Sequence, residues 1–95
     1  MNDIYDVVLS KSATKDLLKL PRYIVIKLES WIDDVGNLGL RVVRQIPGYH
    51  DEPLKGSRIG QRSIRLNKSY RAIYQIDANK IIEFVKIIGV NNHEY

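Results

Sequence analysis

The sequence contains no cysteine and only two histidines among its 95 residues. A disulfide framework and a thiolate metal site are therefore excluded, and two imidazoles alone do not complete the ligand set of a structural zinc. No cofactor and no metal are expected. A cysteine-free chain suits a reducing compartment, and the opening segment, Met1 to Ser10, begins with acidic and polar residues, without the basic-then-apolar order of a signal peptide. No apolar run approaches the roughly 20 residues that cross a bilayer. The expectation is a cytoplasmic protein with no membrane partner. A Gly-rich phosphate loop, a Ser-His-Asp order and a His-x-x-x-His pair are also missing, so metal-assisted and covalent catalysis are not expected.

The most informative absence is local. Between Pro53 and Ile76 there is no acidic residue, against six basic ones: Lys55, Arg58, Arg62, Arg65, Lys68 and Arg71. With 15 basic and 11 acidic residues in the whole chain, this segment contributes +6 and the remaining 9 basic and 11 acidic residues −2 to the net +4. A face that merely keeps a protein soluble mixes its signs, so a one-signed segment points to an anionic partner. Nucleic acid comes first, an acidic protein second and a membrane surface third. The composition of the whole chain, 44% hydrophobic and 27% charged, is that of a folded globule, and 95 residues are expected to make a single domain over 1–95.

The order of elements reads β-α-α-β-β-β. Tyr5 to Leu9 is a short β-branched run, and Ser12 is a plausible N-cap for a helix through Leu20, with Ala13, Leu17, Leu18 and Leu20 apolar. After Pro21, Ile24, Val25, Leu28, Trp31, Ile32 and Val35 recur at helical spacing, and Gly36 and Gly39 supply a stop. Arg41 to Tyr49 reads as connecting structure with room for another helical turn. From Gly60 the period becomes two, with Ile64 and Leu66 alternating against Ser63, Arg65 and Asn67. Asn67-Lys68-Ser69 then closes a hairpin onto Tyr70 to Ile76. Ile81 to Val90 carries apolar residues on both faces, as a central strand does. Trp31, Tyr70 and Tyr74 are assigned to the core, and Tyr49 and His50 to local packing or exposure in their turn.

If Arg65 and Arg71 share one face of the hairpin, they reach a single phosphate or two adjacent ones, and Lys55 and Arg58 extend the grid along a nucleic-acid backbone. Arg62 and Lys68 complete the set. A metal-independent ribonuclease needs a base for the 2′-OH proton, a cation for the charged phosphorane and an acid for the leaving 5′-oxygen. His93, Arg71 and Tyr95 are of those chemical types, with His93 in Asn-Asn-His-Glu-Tyr just beyond the last strand. A solvated tail histidine is the plainer alternative on residue grounds alone.

At these same residues, P-L-K-G-S-R-I-G-Q-R-S-I-R-L-N-K-S-Y-R-A-I-Y-Q-I (Pro53 to Ile76) and G-V-N-N-H-E-Y (Gly89 to Tyr95), the chain resembles the RelE/ParE superfamily of bacterial toxins from type II toxin-antitoxin modules. The resemblance implies an α+β fold, a small twisted antiparallel-rich sheet with two N-terminal helices packed on one face. It implies a ribosome-dependent endoribonuclease that cuts translated mRNA. By position, Arg71 in Y-R-A-I-Y matches the arginine that stabilises the scissile phosphate, Arg65 falls where the RelE-like branch has a phosphate-binding lysine, and Lys55 where related toxins carry a basic residue. His93 resembles the catalytic histidine of the HigB-like and YafQ-like branches, and Tyr95 lies near the terminal tyrosine of RelE-like toxins. Two departures stand out. Ser63 replaces the first lysine of the RelE-like K-x-K strand, and Asn91 and Asn92 stand where that branch has an arginine, so a histidine-centred mechanism fits better than a lysine-centred one. The ParE branch shares the fold but inhibits DNA gyrase without nuclease residues, and is the alternative. The implied partners are mRNA on the ribosome and a cognate antitoxin, through which the toxin oligomerises if at all.

Overall fold

The computed structural model describes residues 3–89. Its elements are β1 (Val7–Leu9), α1 (Lys11–Leu17), α2 (Arg22–Leu38), α3 (Leu40–Val43), β2 (Glu52–Pro53), β3 (Arg62–Asn67), β4 (Tyr70–Ile76) and β5 (Ile82–Gly89), with single 3-10 turns at Pro47–Tyr49 and Gly56–Arg58. The α+β fold and a sheet with helices packed on it agree with the sequence reading; α3 occupies the start of the Arg41 to Tyr49 stretch that had room for another helical turn, and β2 is an addition. An element of two residues carries too little periodicity to be seen in a sequence.

Ser10 joins the first two elements. Its N–H donates to the Phe84 carbonyl at 2.9 Å, closing the β1 side of the sheet, while its hydroxyl accepts from the Ala13 N–H at 3.0 Å. Ser10, and not Ser12, is therefore the N-cap of α1, because only Ser10 has the extended backbone that aims a side chain back at the first turn. Leu18, Lys19 and Leu20 bond three residues back, a tightened end before Pro21, so α1 is shorter than the run to Leu20 that the apolar pattern suggested. The second helix behaves as its spacing predicts. Ile24, Leu28, Trp31 and Val35 are its buried positions, Gly36 is accommodated inside it, and Gly39 ends it at φ 85° with its N–H on the Val35 carbonyl.

The sheet runs β1-β5-β4-β3-β2, with β1 parallel to β5 and every other neighbour antiparallel. α2 lies across one face. There Trp31, Tyr74 and Phe84 pack ring against ring, with centroids 5.2 to 5.6 Å apart. Ile64, Leu66, Ala72, Ile82 and Ile87 join them in one core. The three residues of β1 cannot pair with all eight of β5. The rest of that edge is covered by α1, whose Asp16 carboxylate accepts from the Ile87 N–H at 2.9 Å, while the Ser10 hydroxyl donates to the Val85 carbonyl at 3.3 Å. A sheet edge left bare would invite pairing with another chain, and here side chains close it.

Candidate nucleic-acid interface

Strand parity decides which cations meet. Ile64 and Leu66 on β3 and Ala72 and Tyr74 on β4 belong to the core. Ser63, Arg65 and Arg71 consequently project from the opposite face, away from α2. The register sets Arg65 directly across from Arg71, with Ile88 of β5 on the far side of Arg71. Side chains in such a position have Cβ atoms about 5 Å apart, and like charges there oppose folding. A phosphate between them removes that repulsion and gains two charge-assisted contacts.

Arg71 is also held in place. Its Nη1 donates to the Ser63 hydroxyl at 3.2 Å and lies 3.5 Å from the Glu52 carboxylate. Ser63 is nearly fully buried. Glu52 was not anticipated. It stands one residue outside the acid-free segment in sequence, yet β2 pairs it with Ser63 and so brings a carboxylate onto the basic face. The face is therefore not uniformly basic: one acid from outside the segment tethers Arg71 and leaves Arg65 with no ion pair among the described residues.

The other anticipated cations separate into three groups. Arg62 is on the core side of β3, opposite Tyr74, and its Nε donates to the wholly buried Asp51 carboxylate at 2.6 Å. The Tyr74 hydroxyl donates to the other oxygen of the same carboxylate at 2.6 Å. Burial, then this bond to Asp51, push the Tyr74 hydroxyl far above its ordinary value. Arg62 thus braces the loop before β2 and does not join the grid that was expected to include it. Arg58 donates to the Gln61 side chain at 2.9 Å, and Gln61 to Gln75 and Gln75 to Glu83 continue the chain across three strands at 3.0 and 3.1 Å. That row lies on the open face, four residues along β3 from Arg65, or about 13 Å. Lys55 and Lys68 are exposed, the first ahead of a 3-10 turn and the second at the hairpin tip. His93 and Tyr95 lie outside the described residues, as do Asn91 and Asn92.

Residues 7–90 match the model of a family described as the ParE toxin of type II toxin-antitoxin system, parDE. The chain belongs to that family. Among solved structures, the RelBE2 toxin-antitoxin complex from Mycobacterium tuberculosis is 26% identical over 92% of this chain and 99% of that one, with a TM-score of 0.67. The archaeal RelE-RelB complex from Pyrococcus horikoshii is 23% identical over 93% of this toxin and 97% of that chain, with a TM-score of 0.70. YafQ from E. coli is 22% identical, covering 88% of this toxin and 91% of that chain, with a TM-score of 0.71. No curated protein matches the sequence. The resemblance to the RelE/ParE superfamily is thereby supported: the chain is a toxin of a type II toxin-antitoxin system, and two of these solved relatives are held in complex with their antitoxins. No described helix is long and apolar enough to cross a membrane.

Proposed function

We propose that this toxin is a metal-independent endoribonuclease that cuts mRNA on the ribosome in the cytoplasm. The observation that carries the reading is the direct opposition of Arg65 and Arg71 on an open sheet face, a repulsive pair that a phosphate diester relieves. In this reading Arg71, aligned by Ser63 and Glu52, stabilises the phosphorane as the 2′-oxygen bonds to phosphorus and the 5′-oxygen departs. Arg65 holds the same or the next phosphate, and Lys55 and Lys68 hold those further along. Arg58 contributes at the far end of the face, and Arg62, committed to Asp51, is removed from the set. His93 is assigned the proton transfer and Tyr95 assists it. β5 ends at Gly89 opposite Tyr70, beside Arg71, and four further residues of chain reach about 14 Å, enough to bring an imidazole to the scissile link. The solved relatives with antitoxins bound support a protein inhibitor, which would wrap the toxin with a segment that orders on binding.

The test is primer-extension mapping of transcripts after brief expression, with His93→Ala and Arg71→Ala beside the unaltered chain. Discrete in-frame cuts that vanish in both variants are expected; full cleavage by both removes the assignment. A second reading, a ParE-like gyrase inhibitor without chemistry, is favoured by the family that the chain matches. It expects inhibited supercoiling, intact transcripts and indifference to His93→Ala.

A further inference from the structure

The basic segment of the hairpin does not hold all the clustered charge. From Ser10 to Leu28 the chain has Lys11, Lys15, Lys19, Arg22 and Lys27 against a single acid, Asp16. Asp16 is occupied: it accepts from the Ile87 N–H and lies 3.8 Å from the Lys86 ammonium. Lys11, Lys15 and Lys19 are exposed, recur every fourth residue and form no ion pair among the described residues. Helical geometry puts all three on one flank of α1 and its terminal turn. Ala13 and Leu17 mark the side of α1 that packs inward. At 100° per residue, Lys19 and then Lys15 follow Asp16 around the helix on the side away from Ala13 and Leu17. Asp16 is itself the residue that α1 offers to Lys86, and Lys86 shares the open face with Arg71 through its pairing with Ile73.

The cations consequently follow a diagonal across the sheet. Arg65 on β3 and Arg71 on β4 stand directly opposite, and Lys86 on β5 lies two residues along the strand from Ile88, the residue across from Arg71, so that at about 4.8 Å per strand the three span about 12 Å. α1, bonded along the part of β5 that β1 leaves unpaired, continues the diagonal with Lys15 and Lys19. We infer that this lysine flank of α1 is a second phosphate-binding surface, over which the single-stranded RNA held by Arg65 and Arg71 runs as it leaves the sheet past β5. The inference rests on the nuclease reading for the identity of the polyanion but not on cleavage. A polyanion suits the flank because regularly spaced lysines with no ion pair among the described residues supply point charges for a backbone. Leu18, 83% exposed beside them, is an apolar anchor of the kind a protein partner uses, and the antitoxin arm of the test below examines that occupant.

The test is salt-dependent binding of two labelled single-stranded RNAs, about 6 and about 15 nucleotides long, the range of site sizes of single-strand binders. The unaltered toxin is compared with a variant carrying Lys11→Gln, Lys15→Gln and Lys19→Gln, and with one carrying Arg65→Gln. The glutamines preserve helix propensity, and a second variant with arginine at the same three positions controls for folding. Each phosphate contact adds about 0.7 to the slope of log K against log salt for single strands, so the glutamine variant is expected to lose about 2 from that slope on the longer RNA. It is expected to leave the shorter RNA nearly unchanged, and the arginine variant keeps the full slope. Arg65→Gln weakens both lengths. An unchanged slope on the longer RNA overturns the inference, as does an equal loss on both lengths, which signals a general effect of net charge. Loss of antitoxin affinity with RNA binding intact overturns it in favour of a protein occupant. Failure of the nuclease reading shows separately, as uncut transcripts with RNA binding preserved.

Discussion

Arg65 is held where it destabilises the fold, and that is the residue-level sign of a binding role. Two guanidinium groups directly across a strand pair repel by a few tenths to 1 kcal/mol. Arg65→Gln is therefore expected to raise the free energy of unfolding in urea by about 0.2–1 kcal/mol while weakening RNA; a loss of stability refutes the repulsion. Glu52 presents the converse case. Its carboxylate competes with phosphate for Arg71, so Glu52→Gln is expected to tighten RNA binding by about two- to five-fold, the scale of an exposed ion pair. Asp51 differs from both because it is buried between Arg62 and Tyr74. Asp51→Asn removes a charge that two donors share, and a drop of about 2–3 kcal/mol in urea unfolding is expected. None of these pairings can be read from neighbouring residues in the chain. Asp51 and Tyr74 are 23 positions apart, and parity along β3 sends Arg62 and Arg65 to opposite faces despite their common charge.

At the scale of elements, legibility followed length. α2 was visible because 17 residues repeat a helical stripe, and its centre, Trp31, meets Tyr74 and Phe84 from two strands. Trp31→Ala is expected to cost about 3–5 kcal/mol in denaturant unfolding, with no change in which face of the sheet binds RNA. The β3–β4 hairpin was visible through its alternation and its Asn67 turn, where the side-chain carbonyl accepts from Ser69 and Tyr70 N–H groups. The misplaced cap has the same root as the missing β2. Ser10 and Ser12 are equivalent as letters, and what distinguishes them is Phe84, a residue of the last strand. β2 consists of two residues whose identity as a strand comes from Ser63 and Arg62 opposite them. An element defined by its partner leaves no periodic trace of its own.

Over the whole molecule, contacts between distant segments make stability depend on pH. Burial, and then the hydrogen bond to Asp34, push the Tyr49 hydroxyl up to about 12. Because the folded chain keeps that proton more tightly than the unfolded one, the stabilisation is complete below about pH 10 and is lost as pH rises towards 12. Asp3 works in the other direction. The Arg41 N–H, and then that of Ile4, hold its carboxyl below the ordinary value, so its contribution is complete above about pH 4 and is lost as pH falls through the lowered value. Thermal melting across pH should show the gap between the unaltered toxin and Tyr49→Phe closing on the alkaline side, and the gap to Asp3→Asn closing on the acid side. By itself the sequence determined the long helix, the hairpin and the one-signed charge of residues 53–76, because helical and strand periods and net charge are local properties of the chain. Only the tertiary structure decided which of those cations share a face, which are spent on Asp51 or Gln61, that Glu52 adjoins them, and that α1 meets the sheet through Asp16 and Lys86. The physical reason is that strand register, bulges and edge closure bring together residues far apart in the chain, and no short window of sequence contains that information.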